Sequence, residues 1–398
     1  MIGQILLGAV GAVLLLVAWK VLRGFYVIRR AKALNAHVDA LESEIEVLNA
    51  STEALNAEAE AEDEAERAEA RARTAAEVVA LGFVPEAELD TENPGPVPPG
   101  RTAALEAARS GDWQAAAAYI EAAGTDWEQR WHRVRALART AAQDDAWLLA
   151  WQAARPGDAT AAVVDADTAV LVAWNVRGSQ SGSRTTQEQF RLFHDLLLTA
   201  RERVQEAQRV ADPADPVPYM VEQPIAMGLG YPHAQYEQLW ERITGRAPKL
   251  LCAHTGAVQY WARKWRGSHE LALDFAQRAA DAAEPGELLT LLPLMAYIEQ
   301  EFHDEDLAAE TFFKEPQIVA AVDAALQDLG AADPRDSRAL HLRHALAYLL
   351  FWQDRDAQAV EQFRHVDGHI GVMPWSYRES SRYVYARDWA VRVTLLED

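Results

Sequence analysis

Ile2 to Trp19 is apolar apart from Gln4, and Val21 and Leu22 carry the run past Lys20. About 20 such residues at a 1.5 Å rise match a hydrocarbon core of roughly 30 Å. Within lipid every backbone polar group needs an internal partner, so a lone segment of this kind can only be a helix. The rival reading is a cleaved signal peptide, which has a basic region before the apolar stretch and a small-residue cleavage site after it. Here no Lys or Arg precedes the run, and bulky Trp19, Phe25 and Tyr26 follow it. Residues 1–32 are therefore expected to be a retained, single-pass transmembrane anchor with its basic flank. Lys20, Arg23, Arg29, Arg30 and Lys32 all lie on the C-terminal side. Positive residues resist translocation, which places the N-terminus outside and the rest of the chain in the cytoplasm, at the cell membrane. Gly8 and Ala12 form a small-xxx-small pair that would let two anchors approach closely.

Beyond the anchor, residues 33–82 read as an acidic helical stalk. Leu34, Val38, Leu41, Ile45, Leu48 and Leu55 keep a 4-3 spacing, with Thr52 filling the one polar place. Leu at every d position with Val38 and Ile45 at a favours a parallel two-stranded coiled coil, hence a homodimer. The alternative is a helix that lays the same stripe onto the following domain. Ala59 and Glu62 end the pattern, and Glu58 to Ala76 is a solvated Glu- and Ala-rich stretch with i,i+4 pairs such as Asp63 with Arg67. Residues 83–100, with Pro94, Pro96, Pro98 and Pro99, predict a linker, because proline removes donors and fixes φ.

Residues 101–398 read as helix after helix, with breaks at Arg155–Asp158, Gly178–Ser183, Asp212–Pro216, Glu284–Gly286 and Ala332–Pro334. Roughly a dozen helices fit between them, and no alternating strand pattern is present. The fold class expected is all-α. Three segments share a register: Asp112, Ala115, Tyr119; Ser268, Leu271, Phe275; and Asp356, Ala359, Phe363. Each reads as an N-cap followed on one face by a small or aliphatic residue and then an aromatic. This register resembles the second helix of a tetratricopeptide repeat, which implies an α-α superhelical head and protein binding. The first helices match less well, Leu346 to Trp352 best, and the 34-residue period is not sustained. The turn Lys264-Trp265-Arg266-Gly267-Ser268 is also similar to one carried by an uncharacterised helical family, which implies no activity. All but one of the 13 tryptophans lie in this head. Spacings such as Trp147 with Trp151 suit filling between Ala-rich helices better than a ligand cage.

A net charge of −22 argues against a nucleic-acid face, which needs an excess of Lys and Arg. The lone Cys252 forms no intrachain disulfide and supplies no thiolate cluster; it reads as buried helix. No phosphate-cradling loop, nucleophile elbow or His-Glu-x-x-His is present, so no cofactor is expected. His365, Asp367 and His369 offer metal-ligand types, but Gly368 and Gly371 mark a loop rather than a preformed site. His341 and His344, one turn apart, suit a packed helix boundary. The chemistry that stands out is basic and aromatic: Arg263, Lys264, Trp265, Arg266 and His269, within an acidic domain. Asn175 and Arg177, at a helix end, are of the same kind. These residues read either as structural corners or as contacts to acidic or C-terminal carboxylate groups of a protein or peptide partner. The function expected is that of a membrane-tethered adaptor; the alternative is an enzyme whose site draws on residues distant in sequence.

Overall fold

The structure is a computed structural model that describes residues 2–178 and 186–396. The side chains of 2–10, 12, 13 and 396 are outside it, so the apolar side chains at the head of the leader, the Gly8–Ala12 pair and most of the Gly178–Ser183 break lie outside the described residues. The chain forms two compact units, residues 1–76 and 77–398.

The first unit is one element: most of α1 (Ile2–Ala80). Leu14 to Leu16, Leu22, Phe25 and Tyr26 are exposed around its circumference, and so are Leu34, Val38, Leu41, Ile45, Leu48 and Leu55. Lower down, Arg67 pairs with Asp63 and Arg73 with Glu69, each one turn apart in full solvent. Such pairs contribute a few tenths of a kcal/mol apiece.

The second unit is all-α, and no strand occurs among its described residues. In order, α2 is Arg101–Arg109, α3 Trp113–Glu121, α4 Trp127–Ala141, α5 Ala146–Ala154, α6 Ala159–Arg177 and α7 Gln187–Val210. Then come α8 Val217–Met220, α9 Glu222–Leu229, α10 His233–Thr244, α11 Leu251–Trp261 and α12 His269–Asp281. The series ends with α13 Leu291–His303, α14 Ala309–Phe312, α15 Pro316–Ala331, α16 Ala339–Trp352, α17 Asp356–Val366 and α18 Ser380–Val391. Most packing is between neighbours in sequence (α6 on α7, α12 on α13, α16 on α17), the arrangement of a helical superhelix consistent with a repeat fold. The four described breaks fall between helices as their Pro, Gly and Asp content requires. Four-residue helices such as α8 and α14 carry no periodic signal, which is why the sequence suggests fewer elements.

One continuous apolar core runs from Val78 to Val391. Trp147 and Trp151 are buried in it, and Trp113 stacks on Trp151 with centroids 6.0 Å apart, so these tryptophans fill space. Among the residues whose side chains are described, which leave out the head of the leader, α6 alone is long and apolar enough to cross a membrane, and it is half buried. Two of the three repeat-like caps form. Asp112 accepts the Ala115 N–H at 3.1 Å and Ser268 the Leu271 N–H at 3.2 Å. The third differs: α17 opens on Asp356 itself, without a side-chain cap, and Leu271 faces solvent rather than the core.

Residues 81–100 depart most from expectation. They form a strap packed on the C-terminal helices, not a free linker, and Phe83 and Gly95 are buried. Asp367 accepts from Val84 N–H at 2.5 Å, Tyr383 O–H at 2.9 Å and Arg387 at 3.0 Å. Arg387 also donates to Val84 O at 2.6 Å. Farther along, Asp90 N–H donates to Gly368 O and Ile370 N–H to Asp90 O, both at 2.8 Å, an isolated parallel bridge. A Cβ at Gly371 would lie 2.2 Å from the Asn93 nitrogen, so only glycine allows this approach. His344 donates to Pro94 O at 2.8 Å, and burial lowers its pKa to about 3. A proline-rich segment has no ladder of its own, and the C-terminal helices supply its partners.

Asp367→Ala should strand the buried Arg387 and free the strap, at a cost of roughly 3 kcal/mol. Urea denaturation of the full-length protein measures this. A midpoint equal to that of the parent would remove the strap from the folding unit.

Candidate functional site

The two sequence candidates meet. Arg177 ends α6, and the turn between α11 and α12 carries Arg263 to Gly267. Trp265 lies edge-on to Trp174 with centroids 5.3 Å apart, and Trp174 in turn meets Phe193 of α7 at 5.0 Å. The Arg177 guanidinium sits over both indoles, 5.4 Å from the Trp174 centroid and 5.2 Å from that of Trp265. A cation held against two ring faces gains from their quadrupoles while keeping its donors outward. Its one hydrogen bond among the described residues goes to Gly178 O at 3.3 Å, and desolvation lowers its pKa.

The turn is tightly built. A Cβ at Gly267 would come 1.7 Å from Trp261 O. His233 Nε2 bonds Arg266 O at 2.7 Å, while the Arg266 side chain lies across Gly230. Arg263 and Arg266 are exposed, and their guanidiniums make no hydrogen bond or ion pair among the described residues. Lys264 is committed differently. Its Nζ lies 2.5 Å from the buried Glu299 carboxylate and 5.3 Å from the Tyr377 centroid. His269 has a sealed, unpartnered Nε2, and burial, followed by Arg263, lowers its pKa. Asn175 is exposed beside the cluster. The arrangement offers three guanidiniums without an ion pair among the described residues beside a half-buried indole, with Glu270 as the acid that feels Arg263. Such a surface holds carboxylates bidentately and stacks on planar groups.

A second cluster carries no signal in the sequence, because its members lie 124 residues apart. Glu128, in the first turn of α4, accepts the Cys252 N–H at 2.9 Å, and its Oε2 is sealed and unpartnered. Burial raises the Glu128 pKa to about 7, against weaker lowering by Cys252 and Arg338. Burial, and then Glu128, pushes the Cys252 thiol up, so this cysteine is a protonated thiol at neutral pH rather than a nucleophile. No group of three or more potential ligand side chains able to hold a metal ion occurs among the described residues. Asp367 serves the strap.

Comparison with protein-family models, with curated proteins and with solved structures returned no match.

Glu128 binds its proton more tightly folded than unfolded, so its contribution to stability is greatest below the unfolded pKa and is lost as pH rises towards 7. Glu128→Gln keeps an acceptor for the Cys252 N–H without the charge. The variant should match the parent at pH 5 and be more stable at pH 8 by on the order of 1 kcal/mol. Thermal melts at the two pH values decide it; equal melting at pH 8 would leave Glu128 unburdened.

Proposed function

We propose that this protein is a membrane-tethered adaptor or scaffold whose tetratricopeptide-like head binds an acidic segment or C-terminal carboxylate of a partner protein. The observation that carries this reading is the Arg177 guanidinium poised over Trp174 and Trp265, with Arg263 and Arg266 on the adjoining turn and no ion pair from any of the three among the described residues. In a chain with 60 acidic residues, cations left without ion pairs are a specific arrangement. Lys264, held by Glu299, acts as the brace of the turn. An enzymatic reading would rest on Glu128, but the neighbouring thiol is held protonated, so no activated nucleophile accompanies it.

The apolar leader anchors the molecule, and the basic residues after it hold the head in the cytoplasm. The exposed stripe from Leu34 to Leu55 pairs with a second copy in parallel, so that two heads act together. With Cys252→Ala removing the native thiol, Leu41→Cys at a d position should give a disulfide-linked dimer in intact cells treated with a membrane-permeant oxidant. An impermeant oxidant should give none. Absence of cross-linking with either would dispose of the coil, and cross-linking by the impermeant reagent would reverse the orientation.

For the head, the triple variant Arg177→Ala, Arg263→Ala, Arg266→Ala should fold normally. It should bind an acidic C-terminal peptide selected on the parent at least tenfold more weakly, the loss of about one charge-assisted pair. Undiminished binding would return the corner to a purely architectural role.

A further inference from the structure

Three successive helices leave an open cavity of about 250 Å³ between them. Its walls are aromatic. Tyr236 and Trp240 come from α10, Trp261 from the end of α11 and Phe275 from α12. Trp240 meets Phe275 with centroids 5.3 Å apart and 71° between the planes. Trp261 meets Tyr236 at 6.0 Å and 88°. Walls set at such angles bound one space on several sides, and the face of each ring is its electronegative part. His254 of α11 lines the same space, edge-on to Trp240 at 4.8 Å, and its side chain is almost wholly buried. Its Nδ1 donates to Leu250 O at 2.9 Å, and its Nε2 makes no hydrogen bond among the described residues. A ring that donates from Nδ1 and is held neutral presents a lone pair at Nε2. Burial lowers the His254 pKa, which keeps the ring in that form.

The charges at the rim leave one acid over. Arg278 is paired with Asp274, one turn away on α12. Glu237, three residues before Trp240 on α10, also lines the cavity. It is exposed and makes no hydrogen bond and no ion pair among the described residues. Arg266 acts on Tyr260 as Glu237 does, but the two form no ion pair with each other.

We propose that this cavity binds a methylated ammonium group that keeps one N–H, as a free amine or as the dimethyllysine side chain of a partner. The cation rests against the Trp240, Trp261 and Phe275 rings, whose quadrupoles attract it, tryptophan most strongly. Its methyl groups cover the apolar walls, where further N–H donors would go unsatisfied. Its one N–H meets the His254 Nε2 lone pair, and the Glu237 carboxylate opposes its charge at the rim. The site takes the opposite charge from the Trp265 corner, so either can fail while the other stands.

Calorimetric titration of the full-length protein in non-ionic detergent with trimethylammonium, and separately with a short peptide carrying dimethyllysine, tests the proposal and tells the two sources apart. At least one should bind saturably. Tert-butanol, which has the shape of trimethylammonium without its charge, should bind at least tenfold more weakly than the cation that binds. Glu237→Gln, at an exposed and unpaired position, should melt with the parent and bind that cation about tenfold more weakly. No saturable binding of either cation would overturn the site. So would tert-butanol binding as tightly as the cation, or unaltered affinity in Glu237→Gln.

Discussion

Asp367 accepts hydrogen bonds from the strap at Val84, from Tyr383 and from Arg387, and through Arg387 it reaches the Val84 carbonyl as well. A stack of helices that touch mainly their neighbours has two raw ends, each with apolar surface and backbone groups in want of partners. Here one carboxylate fastens the segment that enters the stack to the helices that finish it. The Arg387 side chain is almost wholly buried, so its charge is tolerable only while Asp367 and Asp388 oppose it. The positions of Asn93 and of Arg101, which donates to it, depend on the same closure.

Much of the fold was legible locally. Breaks rich in Pro, Gly and Asp fall between helices, and Asp112 and Ser268 cap where the register places them, because capping is decided within four residues. What was not legible is what depends on distance along the chain. The Pro-rich stretch 83–100 lacks helical periodicity whether it is free or docked, and nothing local reveals that Asp367, His344 and Arg387 await it. The Arg355–Asp356 turn resembles the other two, yet the helix starts one residue earlier than a cap at Asp356 requires. At the candidate site the sequence marked Arg177 and the Lys264 turn separately for their composition. Their meeting through Trp174 and Trp265 is a property of the superhelix, as is the diversion of Lys264 to Glu299.

Charge is distributed unevenly for so acidic a chain. Cations without ion pairs among the described residues gather at the indole-lined corner, while the exposed arginines Arg67, Arg209 and Arg335 each meet an acid within four residues. Surface pairs of that kind add little to stability. The unpaired groups cost little in solvent and are available to ligands.

The closure is open to direct measurement by amide hydrogen exchange on the full-length protein. Val84, Asp90 and Ile370 N–H should exchange only as slowly as amides in the cores of α16 and α17, because their bonds break with the global fold. Exchange of these three amides at the rate of exposed Gly100 would show that the strap detaches independently, and would contradict the account.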